Sequence, residues 1–140
     1  FAAKGGSIYA ECGGLMYLSR SIRTKTGSRF PMVGLLPCGT QMLPKRRMLG
    51  YVQIEITKDC LLGRRGTKLR GHEFHYSDLT GAPAGGAGWQ TSYKLSYRGN
   101  NSRKTEGYNR RNILISYAHA HFASRPGCAR HIVSEWRKTP

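Results

Sequence analysis

Residues 7 to 18 decide the fold and read Ser7-Ile-Tyr-Ala-Glu-Cys-Gly-Gly-Leu-Met-Tyr-Leu18. The first part of this stretch is a short apolar run that predicts a buried strand, and the last part carries apolar residues at helical spacing. Cys12 lies between the two parts. Gly13 and Gly14 follow it and give the backbone the freedom that a sharp turn needs. The pattern therefore predicts a strand, a turn that carries a cysteine, and a helix.

Cys12 is the candidate nucleophile. The helix N-terminus behind it favours negative charge, so we expect the pKa of its thiol to be lowered and its thiolate fraction raised. The same strand–turn–helix corner carries the nucleophilic serine of α/β-hydrolases. The alternative is a small buried cysteine beside a Gly-Gly turn, since free cysteine is among the most buried residue types. The flanking pattern favours the nucleophile.

Length and composition favour one globular domain in a reducing compartment. The chain has 140 residues, of which 39% are hydrophobic and 18 are glycine, which indicates a core with many turns. No apolar run approaches the roughly 20 residues that span a bilayer, and no secretory leader opens the sequence. The four cysteines, at positions 12, 38, 60 and 128, are too sparse for a disulfide scaffold and lack Cys-x-x-Cys spacing. We expect a cytoplasmic protein in which Cys38, Cys60 and Cys128 are structural.

The net charge of +16 is unusual, with 23 basic residues against 7 acidic ones. It is compatible with nucleic-acid binding, with a polyanionic small substrate, or with docking onto an acidic domain. No helix-turn-helix, zinc-finger or ribonucleoprotein motif is present, and the aromatic residues lie in apolar strands rather than beside the basic pairs, which disfavours nucleic acid. The basic residues cluster as Lys45-Arg46-Arg47, Arg64-Arg65, Arg103-Lys104, Arg110-Arg111 and Arg137-Lys138.

The rest of the chain is rich in predicted strands. The first helix is expected to fade near Ile22, and a second helix is expected from Arg125 to Lys138, with a proline near its first turn. Turn residues predict a loop over 81–88 and a hairpin turn over 99–102. Strands are predicted over 31–37, 48–57, 69–79, 93–97 and 113–122.

Two histidines end the apolar segment Ile113-Leu-Ile-Ser-Tyr-Ala-His-Ala-His-Phe122. His119 and His121 point to the same face if this segment is a strand. A histidine at the end of a buried strand can serve as the general base for a thiol nucleophile, although a lone one is more often part of the core. The order of nucleophile first and base about 100 residues later fits such a pair.

The segment Gly71-His-Glu-Phe-His-Tyr-Ser77 carries two further histidines. Zinc binding by His72 and His75, together with His119 and His121, is one alternative. The spacing is not that of a zinc motif, and positions 72 and 75 face opposite ways on a strand. We expect a structural strand that lines the active-site cleft and no metal site.

Five motifs in order make the chain resemble a known family, the glutaminase domain of cobyrinic acid a,c-diamide synthases, within the class I glutamine amidotransferase-like superfamily. The resemblance covers nearly all of the chain. It implies an α/β fold of the flavodoxin-like, three-layer type, of which residues 1–140 would be the strand-rich C-terminal portion, with N-terminal strands missing. The motifs are Tyr9-Ala-Glu-Cys-Gly-Gly-Leu-Met-Tyr-Leu18, Met32-Val-Gly-Leu-Leu-Pro37, Gly50-Tyr-Val-Gln-Ile-Glu55, Gly71-His-Glu-Phe-His-Tyr-Ser77 and Ser116-Tyr-Ala-His-Ala-His-Phe122.

The resemblance also implies roles for individual residues. Cys12 would attack the side-chain amide of glutamine, His119 would raise its nucleophilicity, and the backbone N–H of Gly13 would stabilise the oxyanion. His121 is the second choice for the base. Many class I amidotransferases place a glutamate where this chain has His121, so what orients His119 is left open. Glu73 and Glu55 are candidate acids.

The implied partners are glutamine and an ATP-binding synthetase domain of the same polypeptide. In that family the synthetase domain binds ATP and Mg²⁺ and activates the carboxylates of a corrin, so no cofactor is expected in this domain. The acceptor would be cobyrinic acid, its hydrogenobyrinic relative or a nickel sirohydrochlorin. All three are polycarboxylates, which would explain the positive charge as long-range steering. If strands of the parental sheet lie upstream, an exposed sheet edge would favour association with that segment or formation of a homo-oligomer.

Overall fold

Strands dominate the computed structural model, which describes residues 1–98 and 103–138. The predicted α/β class and the strand-rich character of the chain are confirmed. Within the described residues there are two α-helices, α1 (Gly13–Leu18) and α2 (Pro126–Trp136), and short 3₁₀ turns at Ala2–Lys4 and Phe122–Ser124. The strands are β1 (Ile8–Glu11), β2 (Ser21–Arg23), β3 (Arg29–Pro31), β4 (Thr40–Met42), β5 (Met48–Ile56), β6 (Lys68–His75), β7 (Ser77–Leu79), β8 (Gln90–Tyr97), β9 (Arg103–Arg110), β10 (Ile113–Ser116) and β11 (His119–Ala120).

A mixed seven-stranded sheet organises the molecule, in the order β1-β10-β9-β8-β5-β6-β11. β1 runs parallel to β10, and the other neighbours are antiparallel. Only Tyr117 and Ala118 separate β10, at one side of the sheet, from β11 at its opposite edge. The sheet must therefore curl, and it brings the end of β1 close to β11. This corner is where Cys12 and His119 lie.

Two apolar cores lie on opposite faces of β10. Leu114 packs with residues of β5, β6, β8 and α2, while Ile113 and Ile115 pack with residues of α1. All four residues of β10 are buried, which explains why Ile113, Leu114 and Ile115 form an apolar run rather than an alternating pattern. A smaller four-stranded sheet, in the order β3-β2-β4-β7, adjoins the α1 side, where Leu36 and Leu79 belong to the same core.

Helix α2 is amphipathic, and Cys128 and Ile132 form its buried face. Val133 and Trp136, which the sequence pattern placed on the apolar face, are about half exposed. Along the described ranges, neither helix combines the length and the hydropathy that crossing a membrane would require.

Several of the secondary-structure predictions were wrong. The strand predicted over 113–122 is interrupted at 117–118, which separate β10 from β11, and the one predicted over 69–79 is interrupted at Tyr76, which separates β6 from β7. The first helix ends at Leu18, and Ile22 lies in β2 instead. The predicted strand over 31–37 is absent apart from Pro31, which ends β3. The segment 103–110, which was not predicted to be regular, forms β9. Its residues 106–109 are buried in succession and include the polar Glu106 and Asn109, so the sequence lacks a period-two pattern. The hairpin turn predicted over 99–102 lies outside the described residues.

Candidate active site

The predicted corner at Cys12 is present. Cys12 directly follows β1 and caps α1 with φ 48° and ψ −104°, a backbone conformation that few non-glycine residues adopt. Its N–H donates to the Ser116 carbonyl oxygen at 2.8 Å, and its own carbonyl accepts the Met16 N–H at 3.2 Å. Such backbone strain costs on the order of 1–3 kcal/mol and persists only where the surroundings enforce it. β10 and α1 together fix the cysteine at this turn.

The two glycines after Cys12 have different tasks. A Cβ on Gly14 would lie 3.1 Å from the Ala10 Cβ, so the missing side chain lets α1 pack closely on β1. A Cβ on Gly13 would meet open space. The backbone of Gly13 instead hydrogen-bonds the Cys12 sulfur and acts to lower the pKa of the thiol. A donor directed at the sulfur is also close to where an oxyanion would form on an attacked amide.

The predicted lowering of the Cys12 pKa was wrong. Burial raises the pKa of this thiol above its ordinary value, the Gly13 N–H opposes the rise, and the charge of Glu11 adds to it. The helix that was expected to favour the thiolate has only six residues, so its dipole is weak. The thiol is protonated at neutral pH and donates to the Phe74 carbonyl oxygen at 3.6 Å. A protonated thiol can act as a nucleophile only when a base takes its proton.

His119 stands at the same corner, on the two-residue strand β11. β11 pairs with β6, with His119 opposite His72, and the two imidazole rings stack with centroids 4.6 Å apart and 3° between their planes. His119 Nδ1 lies 3.7 Å from Glu11 Oε2, and the side chains of His119 and Glu11 are 31% and 22% exposed. Since Glu11 directly precedes Cys12, the candidate nucleophile and the candidate base share one carboxylate neighbour.

Glu11 is the acid that the sequence analysis missed. Its Oε1 accepts the Ala120 N–H at 2.7 Å and a hydrogen bond from the Tyr9 hydroxyl. Neither Glu73 nor Glu55, the acids considered from sequence, has this position: Glu73 is fully buried beneath β6, and Glu55 lies 4.0 Å from Lys68. The sequence held one signal for Glu11, a carboxylate at the end of β1. That strand pairs with β10, which leads to His119.

His121, the second choice for the base, is exposed just beyond β11. Its N–H donates to the Arg70 carbonyl oxygen, and its carbonyl accepts the Ser124 hydroxyl at 2.7 Å. These backbone contacts hold the end of β11 against β6. The carboxylate of Glu11 is directed to His119 and not to His121.

The Gly71–Ser77 segment packs against the corner that carries Cys12 and His119. Burial alternates along β6, so His72 and Phe74 face outward while Glu73 and His75 face inward, as predicted. A Cβ on Gly71 would overlap the His119 carbonyl oxygen and lie 2.9 Å from Ile54 Cδ1. Only glycine therefore lets β11 approach β6. Within residues 1–98 and 103–138, no group of three or more metal-binding side chains comes together.

A sealed polar network fills the space under β6. Glu73 accepts a hydrogen bond from the Tyr97 hydroxyl and lies 3.4 Å from Lys104 Nζ and 3.9 Å from His75 Nε2. His75 stacks on Tyr117 with ring centroids 4.1 Å apart, and its Nδ1 lies 2.7 Å from the Ser77 carbonyl oxygen. Burial lowers the pKa of His75, which keeps this imidazole neutral.

Glu106 shapes the bend that leads into β11. Its carboxylate accepts the Ser116 hydroxyl and the Tyr117 N–H, each at 2.5 Å. The Ser116 oxygen in turn accepts the Ala118 N–H at 2.9 Å. Burial raises the pKa of Glu106, against the opposing charge of Lys104. These contacts fix residues 116–118 and so fix where the chain places His119.

The comparisons with known proteins identify the family of this chain. The profile of the CobB/CobQ-like glutamine amidotransferase domain matches residues 1–127, and the chain belongs to this family. The nucleic-acid-binding alternative has no support from the matches.

Curated relatives carry the name cobyrinate a,c-diamide synthase. The chain is 51% identical to the protein of that name from Syntrophotalea carbinolica over 133 residues, which cover 95% of the chain and 29% of the relative. It is 43% identical to the one from Leptospira interrogans, covering 90% of the chain and 27% of the relative. The match to the Methanocaldococcus jannaschii protein is 38% identical and covers 92% and 27%. The chain thus spans less than a third of the length of these relatives.

Proposed function

We propose that this chain is the glutaminase part of an ATP-dependent amidotransferase that amidates the a and c carboxylates of cobyrinic acid. The observation that carries the proposal is Cys12 at a strained strand–helix corner, with the Glu11–His119 pair beside it. The names of the curated relatives supply the acceptor. The four cysteines are all free thiols, which fits the cytoplasmic setting included in the proposal.

The reaction begins with proton transfer. His119 takes the thiol proton of Cys12 as the sulfur attacks the side-chain amide carbon of glutamine. The amide oxygen becomes an oxyanion, which the Gly13 N–H stabilises. Because burial raises the pKa of Cys12, the base is needed during the attack and the enzyme does not depend on a standing thiolate.

The tetrahedral intermediate then collapses. The protonated His119 gives its proton to the departing nitrogen, ammonia leaves, and a γ-glutamyl thioester remains on Cys12. His119 next takes a proton from water, which attacks the thioester and releases glutamate and the free thiol. The cycle consumes one glutamine and one water and returns both residues to their starting states.

The ammonia is used by a second domain. In this proposal a synthetase domain of the same polypeptide binds ATP and Mg²⁺ and activates the carboxylates of the acceptor. Cobyrinic acid, hydrogenobyrinic acid and a nickel sirohydrochlorin are all polyanions, and a chain with net charge +16 would attract any of them over long range. An association rate that is insensitive to ionic strength would count against this steering.

The test separates the use of glutamine from the use of ammonia. In the full-length protein, Cys12→Ser should abolish glutamine-dependent amidation and leave amidation from added ammonium salt intact. Cys128→Ala, which changes a buried thiol away from the corner, is the matched control and should keep both activities. Retained glutamine dependence in the Cys12→Ser protein would refute the proposal.

A further inference from the structure

We propose that Glu11 is the positioning residue that selects the tautomer and orientation of His119. The inference rests on the proposed function, since it assigns a part in glutamine hydrolysis. It stands on one geometric fact: the Glu11 carboxylate is held by two donors through one oxygen and presents the other oxygen to His119.

The carboxylate cannot turn freely. Oε1 accepts the Ala120 N–H at 2.7 Å and the hydroxyl of Tyr9, which lies on the same face of β1. Ala120 is the residue after His119, so the bond to Oε1 also fixes the backbone that carries the imidazole. Oε2 is left 3.7 Å from His119 Nδ1. Glu11 therefore sets both the place and the orientation of the ring.

A negative oxygen facing Nδ1 favours the proton on that nitrogen. A neutral imidazole with Nδ1 protonated has its lone pair on Nε2, which is the form that can accept the thiol proton. When the ring takes that proton, the positive charge forms 3.7 Å from a carboxylate, which stabilises it. Glu11 thus supports His119 before and after proton transfer without touching the substrate.

The other carboxylates near the corner are engaged elsewhere. Glu73 lies beneath β6 against Lys104 and Tyr97, and Glu106 is fully buried against Ser116 and Tyr117. Glu55 is at the outer side of β5, near Lys68. Across the described part of the chain, Glu11 is the carboxylate that lies within 4 Å of His119.

The substitution Glu11→Gln tests this assignment sharply. Its amide oxygen must take the Oε1 place to accept the Ala120 and Tyr9 donors, which leaves the NH₂ group facing Nδ1. A donor at that position favours the tautomer with Nε2 protonated, which cannot accept the thiol proton. We expect kcat for glutamine hydrolysis to fall at least about 100-fold, with KM within about threefold.

A spectroscopic readout accompanies the kinetics. The ¹⁵N shifts of the His119 ring in the full-length protein should report the Nδ1–H tautomer in the parent and a shift toward Nε2–H in Glu11→Gln. Glu55→Gln is the matched control, because it makes the same carboxylate-to-carboxamide change at a half-exposed residue of β5. It should leave both the rate of glutamine hydrolysis and the His119 tautomer unchanged. The readout does not depend on turnover.

The outcomes are distinguishable. If the parent hydrolyses glutamine, Cys12→Ser does not, and Glu11→Gln retains kcat within about threefold with an unchanged tautomer, the role of Glu11 is refuted while the proposed function stands. A parent and a Cys12→Ser protein that hydrolyse glutamine equally would instead refute the proposed function. Loss of kcat together with the tautomer change supports both.

Discussion

Two glutamate–histidine pairs with nearly equal separations occur within the described residues, and they differ in their exposure to solvent. Glu11 and His119 lie 3.7 Å apart with side chains 22% and 31% exposed. Glu73 and His75 lie 3.9 Å apart with side chains 0% and 3% exposed. The same two residue types thus occur once at a partly exposed corner and once on the buried face of β6, the strand that pairs with β11.

Access and neighbours make the difference. The pair under β6 is enclosed by Tyr97, Tyr117 and Lys104, and burial holds His75 neutral, so it can neither reach a substrate nor exchange protons readily. The pair at the corner adjoins the Cys12 turn. A carboxylate–imidazole contact is therefore not evidence of catalysis by itself, because the same contact occurs in a buried pair and in a partly exposed one.

The largest expected effect is on the free energy of unfolding, which should fall by different amounts when the glutamate of each pair is removed. Glu73→Ala leaves Lys104 and the Tyr97 hydroxyl without their buried partner and should cost about 3–5 kcal/mol of unfolding free energy. Glu11→Ala removes hydrogen bonds at a half-open site and should cost about 1–2 kcal/mol. Urea denaturation followed by circular dichroism measures both. An equal or larger cost for Glu11→Ala would break the comparison.

The second prediction concerns how β6 holds the open pair in place. Gly71→Ala pushes against the backbone of His119, so glutamine hydrolysis should fall about 100-fold through misplacement of the base. Gly50→Ala is the matched control, because Gly50 lies on the neighbouring strand opposite Glu73 and a Cβ there meets open space. Steady-state kinetics on both variants decides the matter, and a Gly71→Ala enzyme with the parent rate would show that β11 is not fixed by this contact.

The third and smallest expected effect concerns the rate at which the Cys12 thiol is alkylated, which reports its pKa. Burial, and secondarily the charge of Glu11, raises the pKa of Cys12 in the folded protein. Alkylation of Cys12 by iodoacetamide at about pH 8 should therefore be slower than in the urea-unfolded chain. Its rate should keep rising with pH beyond the ordinary thiol range. Glu11→Gln should speed this alkylation while slowing glutamine hydrolysis. Faster alkylation of the folded parent than of the unfolded chain would contradict the pKa assignment.

The local features of the site could be read from the sequence, because they are encoded in consecutive residues. Cys12 at its turn, the strand at 48–56 and the opposite orientations of His72 and His75 all follow from periodicity and glycine placement. Cys12 and His119 were the expected nucleophile and base, and the structure brings them to one corner, although their roles stay predictions until tested.

The missed features depend on pairing between distant segments. Glu11 meets His119 only because β1 pairs with β10 and the sheet curls over residues 117–118 to bring β11 back. The contacts among Glu73, Lys104 and Glu106 could not be predicted, because these polar residues face inward, where sequence patterns predict apolar residues. The raised pKa of Cys12 is likewise a result of tertiary burial, which outweighs the local helix.

The proposal that Cys12 attacks glutamine is tested most directly by treating the full-length protein with an electrophilic glutamine analogue and locating the adduct by peptide mass mapping. We expect one adduct, on Cys12, which excess glutamine prevents and which His119→Ala slows strongly. Labelling of Cys38, Cys60 or Cys128 instead, or labelling that glutamine does not prevent, would contradict it.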